Sequence, residues 1–252
     1  MKKLIIAATF GILFSVTTLL SFTAVASGPS IHLDKANNDL SDKESLKKGF
    51  KTYLNYCLGC HQLQYQRYNR TFDDLGIDKA DGIANYMPTG DKVGGHILNT
   101  MPENEAAKWF GSAPPDLTLE ARLRSPDWIY TYLRSFYIDE SRPFDVNNTV
   151  FKDVGMPHVL QNLQGVSTLV VHKELDEHGE EHEVSSLSPA MGGSLTAEEY
   201  DVVVRDLTNF LEYVGEPNKL ERKAIGYWVL AFLFFFFIIS YFLKKEYWKD
   251  VH

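Results

Sequence analysis

The chain has 252 residues, 44% of them hydrophobic and 23% charged, which is enough apolar material for one sizeable core or two small ones. Its formal charge is -8; without Lys2, Lys3 and everything from Lys223 onward, 19 basic residues face 31 acidic ones, a net -12. So acidic a body argues against nucleic acid and for a basic protein partner.

Residues 1–26 read as a secretory signal peptide: Lys2 and Lys3 form a positive start, Leu4 to Leu20 an apolar stretch, and Ala24-Val25-Ala26 a small-residue cleavage site. The competing reading of so long an apolar stretch is an amino-terminal membrane anchor. Ser27 to Asp42 is polar and broken by Gly28 and Pro29, a segment expected to wrap an outer surface. A helix is expected from about Ser41, where Ser41 and Glu44 fit a capping box. Leu46, Phe50, Tyr53, Leu54 and Cys57 recur at three- and four-residue spacing, a core-facing stripe. Gly49 lies on that helix without a turn signal, which suits either close approach of another helix or a merely tolerated glycine.

The stripe leads into Cys57-Leu58-Gly59-Cys60-His61, which reads as a covalent attachment site for haem c. Thiols about one helical turn apart reach the two vinyl groups of one porphyrin, and the adjacent imidazole reaches the iron as an axial ligand. A structural disulfide, a thioredoxin-like pair and half of a zinc site compete. Zinc needs a further close ligand pair and the chain holds no third cysteine, while a thioredoxin-like pair needs a βαβ setting that the flanks lack. With both cysteines used by haem, no disulfide remains to brace the fold. Export and the motif also agree, because haem c is attached on the outer side of the bacterial plasma membrane.

From Tyr65-Gln66-Arg67-Tyr68-Asn69-Arg70 onward, scattered glycines suggest a loop-rich insertion over the haem face, with Trp109 and Phe110 packing at its end. Ala113-Pro114-Pro115-Asp116-Leu117 stops one element and starts another. Arg122 and Arg124 follow, either as solvated surface or as partners of a haem propionate, which the guanidinium fork suits. Ser125-Pro126-Asp127 opens a helix with Trp128, Ile129, Tyr132, Leu133 and Phe136 on one side. Asn147 to Val159 is irregular and contains Gly155-Met156-Pro157-His158. Thr168 to Val171 suits a short strand, and 173–183 a charged hairpin tip whose neighbouring histidines, His172, His178 and His182, read as solvated in preference to metal-binding.

Met191 is the expected second iron ligand. It sits in Ser188-Pro189-Ala190-Met191-Gly192-Gly193, where proline and glycines let backbone approach a porphyrin edge. Thr196 and Glu199 then cap a helix running to about Tyr213, with Val203, Leu207, Phe210 and Leu211 on its inner face. Met156 is the leading rival, and Met87, Met101, His96 and His158 also remain open. Between Lys223 and Lys244, Ala224 to Leu243 carries no charge, and twenty helical residues span about 30 Å, the thickness of a bilayer core. Tyr227, Trp228 and Tyr241 suit the membrane interfaces, and Lys244, Lys245 and Lys249 mark the cytoplasmic end.

With CLGCH at 57–61, YQRYNR at 65–70, WFGSAPPDL at 109–117, RLR at 122–124, GMPH at 155–158, PAM at 189–191 and the terminal anchor, the chain resembles the cytochrome c1 family of the bc1 complex (ubiquinol:cytochrome c oxidoreductase), in its proteobacterial form. The resemblance implies a mainly α protein: a class I cytochrome c-like haem domain with loop insertions, plus one carboxy-terminal transmembrane helix. It divides the chain into a signal peptide (1–26), a periplasmic haem domain (27–222), an anchor (224–243) and a cytoplasmic tail (244–252). It implies one haem c on Cys57 and Cys60, iron ligated by His61 and Met191, and Arg124 on a propionate. Some relatives hold an extra cysteine pair beyond the APPDL segment that is missing here.

Nothing in the sequence resembles a nucleophile with its base or a carboxylate pair set for acid–base work, so the haem is the group with chemistry. Two filled axial positions leave single-electron transfer. By the resemblance, electrons come from a Rieske iron-sulfur subunit and go to a soluble cytochrome c, within a homodimeric complex that includes cytochrome b and sits in the bacterial plasma membrane. The chain would then act as an enzyme's electron-transfer subunit, in a quinol–cytochrome c reductase, with its activity alone left open. The alternatives are a free-standing anchored cytochrome c that shuttles between complexes, and a haem-based sensor.

Overall fold

A computed structural model of the protein describes residues 32–90, 92–175 and 181–249. The expected signal peptide lies outside them, as does His178. In chain order the elements are α1 (Lys43–Tyr56), β1 (Leu63–Arg67), α2 (Tyr68–Leu75), α3 (Lys79–Asn85), β2 (His96–Ile97), α4 (Glu103–Phe110), α5 (Glu120–Leu123), α6 (Pro126–Arg134), β3 (Phe136–Ile138), β4 (Val146–Asn148), α7 (Gln161–Gln164), β5 (Gly165–Val166), β6 (Leu169–Leu175), β7 (Glu181–Leu187), β8 (Met191–Gly192), α8 (Ala197–Gly215) and α9 (Lys219–Tyr247). Helices dominate, and the strands pair only as two-stranded antiparallel ribbons, β1 with β2, β3 with β4, β5 with β8 and β6 with β7.

Helix α1 starts one residue later than its sequence suggests. Asp42, not Ser41, is the cap, its carboxylate accepting from the Glu44 and Ser45 amides, while the Ser41 hydroxyl donates to Asp39. The expected stripe is correct in its main members: Leu46, Phe50, Tyr53 and Cys57 are buried. They pack on α8, which opens with the expected capping box between Thr196 and Glu199. Its inner face is set by Val204, Leu207, Phe210 and Leu211, with Val203 only half-buried. Phe50 stacks on Phe210 with ring centroids 5.0 Å apart, and each fully buried side chain of this size stabilises by about 1.5–3 kcal/mol.

Gly49 is the closest point of that crossing. A Cβ built there would fall on the Asp206 carbonyl oxygen, 2.6 Å from its carbon and 2.7 Å from Phe210 Cβ. Beside it the Ser45 hydroxyl donates to the Asp206 carboxylate at 2.6 Å, and Asn209 donates to the Asp39 carbonyl at 2.8 Å.

The region after His61 is more ordered than a loop-rich insertion. Tyr65–Arg70 spans the end of β1 and the start of α2, and Tyr68 and Phe72 are buried core residues. Of the charged 173–183 stretch, residues 173–175 and 181–183 are paired strand, since β6 and β7 run in register from Leu169 opposite Leu187 to Leu175 opposite Glu181, and 176–180 lie outside the described residues. At the other end of the chain α9 is one continuous helix of 29 residues, about 44 Å long, with no buried residue. Trp228 is 80% exposed, and among the described residues α9 is the helix long and apolar enough to cross a membrane.

Candidate haem site

The last turn of α1 continues as tight turns, with the Cys60 and His61 amides both donating to the Cys57 carbonyl, at 3.0 and 2.8 Å. This winding brings Cys57, Cys60 and His61 to one wall of a cavity of about 430 Å³. Two outer bonds hold the wall: Tyr53 donates its hydroxyl to the His61 carbonyl at 2.7 Å, and the Asn99 amide donates to the Cys60 carbonyl at 2.7 Å. Both cysteines are free thiols. Burial, aided by Cys60, pushes the Cys57 thiol up to about 12, and burial also raises Cys60.

His61 Nδ1 lies 2.7 Å from the Pro115 carbonyl, so Nδ1 carries the proton and the Nε2 lone pair is left for a metal. Burial lowers the imidazole pKa and favours that neutral form. The Pro114-Pro115 segment is on the cavity wall, so the turn expected at APPDL orients the histidine.

The same cavity is lined by members of a column of side chains four residues apart. The Arg124 guanidinium lies 4.5 Å over the Trp128 ring, Trp128 stacks on Tyr132 at 4.9 Å, and Tyr132 meets Phe136 edge-on at 5.2 Å. Arg124, Trp128 and Tyr132 line the cavity, joined by Phe110 and Phe151. Arg124 Nε also bonds Glu120 at 3.1 Å. Arg122 instead lines a separate cleft with Glu212, Glu216 and Lys219. The sequence identified Trp128 and Tyr132 as one helix face but not as a cavity wall; the signal that would have done so is the spacing of four running back to Arg124.

The expected sixth ligand lies away from the other site residues. Met191 is 75% exposed and does not line the cavity. Strand β8 is stitched to β5, with Val166 opposite Met191 and Gly165 opposite Gly192, and Ser194 and Leu195 donate to the Asn162 and Leu163 carbonyls. Gly193 is used there, since a Cβ would meet the Gln164 backbone. The glycines that suggested approach to a porphyrin serve backbone pairing, and that pairing leaves Met191 facing water.

Met156 is on the cavity wall with Gly155 and Pro157. The loop before it is held by two buried asparagines. Asn148 accepts from the Val150 and Phe151 amides and donates to the Tyr132 carbonyl, while Asn147 accepts from the Asp153 amide at 2.9 Å. His158 is buried against Phe136, stacked at 4.7 Å, and His96 bonds the Gln64 carbonyl; neither they nor Met87 and Met101 line the cavity. The residues therefore fit a haem: two free thiols and an oriented imidazole on one wall, a thioether on the cavity lining, and aromatic walls between. Among the described residues no group of three or more His, Cys, Asp or Glu could hold a bare metal ion.

The sequence profile of the Cytochrome C1 family matches residues 35–168 and 193–251. Cys57, Cys60, His61, Arg124 and Met156 all fall inside the matched segments, whereas Met191 and the β6–β7 hairpin fall between them. The chain is 52% identical to cytochrome c1 of Allochromatium vinosum over 252 residues, 100% of both chains. It is 44% identical over 234 residues to the ammonia monooxygenase gamma subunit of Nitrosomonas europaea, covering 93% of this chain and 95% of that one. It is 26% identical over 236 residues to cytochrome c1 of Rhodospirillum rubrum, 83% of each.

Proposed function

The chain belongs to the Cytochrome C1 family, and we propose that it holds one haem c through Cys57 and Cys60, ligates the iron with His61 and Met156, and passes single electrons from a Rieske iron-sulfur subunit to a soluble cytochrome c. Family membership makes it a membrane-anchored, haem-bearing electron-transfer subunit of the bc1 complex; the donor, the acceptor and the ligand pair are the finer reading. The observation that carries it is the convergence of Cys57, Cys60, His61 and Met156 on one apolar cavity.

Bound there, haem supplies a one-electron iron couple whose potential a thioether ligand raises. The chain's own groups do the rest. Pro115 holds the His61 ring by Nδ1, so that Nε2 is aimed and unprotonated. Phe110, Trp128, Tyr132 and Phe151 exclude water from the wall, which keeps the local dielectric low. Arg124, stacked on Trp128, presents a cation suited to a propionate. In this reading the haem domain, 27–222, works on the periplasmic side, where its acidic body suits a basic soluble partner, α9 is the anchor in the plasma membrane, 244–252 is the cytoplasmic tail, and the chain assembles with cytochrome b in a homodimeric complex; the length and apolar character of α9 support the anchor.

Purification from membranes in mild detergent tests this: a b-type haem and an iron-sulfur subunit should co-purify, with quinol-dependent reduction of cytochrome c. Isolation of the chain alone, with activity intact elsewhere, would refute the assignment. For the ligand, Met156→Leu should abolish the near-infrared sulfur-to-iron band and lower the potential steeply, while Met191→Leu leaves both unchanged. The opposite pattern would restore Met191.

A further inference from the structure

We infer that Tyr132 is a positioning residue whose hydroxyl, by donating a hydrogen bond to the Met156 sulfur, raises the reduction potential of the haem iron. The inference rests on the reading of Met156 as the iron ligand. Tyr132 Oη lies 3.4 Å from Met156 Sδ, within reach of an O–H···S bond. A thioether has two lone pairs, so one serves the iron while the other accepts the proton.

The contact is built into the frame on both sides. The Tyr132 ring is held between Trp128, stacked at 4.9 Å with planes 9° apart, and Phe136, edge-on at 5.2 Å. The Tyr132 carbonyl accepts from Asn148, whose own side-chain oxygen holds the Val150 and Phe151 amides of the loop leading to Met156. One buried asparagine therefore ties the helix bearing the donor to the loop bearing the acceptor.

A hydrogen bond to sulfur draws electron density from it and makes it a poorer donor to iron. The ferric state depends more on that donation, so the bond favours the ferrous state and raises the potential. Removing it from the full-length, haem-loaded protein in detergent should lower the potential. Tyr132→Phe keeps the ring and its stack, and spectroelectrochemical titration should show a three- to tenfold weaker equilibrium for reduction, at most about 59 mV for one electron. The near-infrared band should persist at a displaced energy, with haem content unchanged. Tyr132→3-fluorotyrosine, of nearly the same shape but a stronger donor, should shift the potential upward, which a packing defect would not do; it also decides the matter if the phenylalanine variant does not accumulate. Wild-type potentials in both variants, or shifts of the same sign, overturn the inference. Met156→Leu separates the two ideas. If it keeps the band, the ligand reading and this inference fall together; if it loses the band while the Tyr132 variants stay at the wild-type potential, this inference alone falls.

Discussion

Replacing Gly49 with Ala tests whether α1 and α8 touch backbone to backbone, the contact that sets where the cysteines are delivered. The new Cβ would lie 2.6 Å from the Asp206 carbonyl carbon and on its oxygen, about 0.8 Å inside the 3.4 Å at which ordinary contact begins. No rotamer relieves the clash, because the obstacle is backbone of a neighbouring helix. The helices must part, loosening the Phe50–Phe210 stack at 5.0 Å and the Ser45–Asp206 bond at 2.6 Å. Overpacking of this kind costs about 1–3 kcal/mol, and a backbone obstacle places it at the upper end. Against that, alanine is a better helix former than glycine by about 1 kcal/mol. The net loss is about 2 kcal/mol, a fall in Tm of roughly 4–8 °C for a chain of this size. Thermal unfolding of the detergent-solubilised protein, followed by far-ultraviolet circular dichroism, reads it. Gly59→Ala is the control: a Cβ there meets nothing within 4 Å, and stability should change by no more than about 0.5 kcal/mol. If Gly49→Ala melts at or above the wild-type temperature, propensity alone is acting and the close crossing is wrong.

The remaining expectations concern the cofactor and the anchor. Single replacement of Cys57 or Cys60 by Ala should leave haem on the denatured chain through one thioether, and the double replacement should abolish peroxidase staining after denaturing electrophoresis; persistent staining of the double variant would exclude these attachment points. Truncation after Arg222 removes the uncharged part of α9 and should yield a haem-bearing domain in the soluble periplasmic fraction, whereas recovery only from membranes would point to another anchor. Arg124→Gln removes a cation from the cavity wall and leaves Glu120 without its 3.1 Å partner, so both changes favour ferric iron and the midpoint potential should fall. An unchanged midpoint would place Arg124 outside the field of the haem.

Much of the site was legible because its signals are local. Cys-x-x-Cys-His is a spacing imposed by one small molecule, and the helix before it repeats its apolar residues at helical period, so α1 and the thiols could be read together. The capping box at Thr196 and Glu199 closes within four residues, and twenty uncharged residues describe a membrane span without reference to any neighbour. Gly49 was legible for a related reason, since a glycine inside a strong helix needs a neighbour to justify it.

The choice between Met191 and Met156 could not be made that way. Both lie in short loops with glycine and proline beside them, and position before the last helix favoured Met191. Their placement follows from pairing distant in sequence: β5 against β8 binds the Met191 loop to residues 163–166, and Asn147 and Asn148 hold the loop that puts Met156 on the cavity wall. The column from Arg124 through Trp128 to Tyr132 shows the same division. Its helical spacing is in the sequence, but that it lines the same apolar cavity as the thiols depends on how α6 packs against α8 and on the loop beyond β4. Residue types and short spacings determined which chemistry this chain can hold, because covalent attachment, caps and bilayer spans are set over a few residues. Where each methionine sits was decided only by tertiary structure, because hydrogen bonds between segments far apart in the chain leave Met191 exposed and put Met156 on the cavity wall.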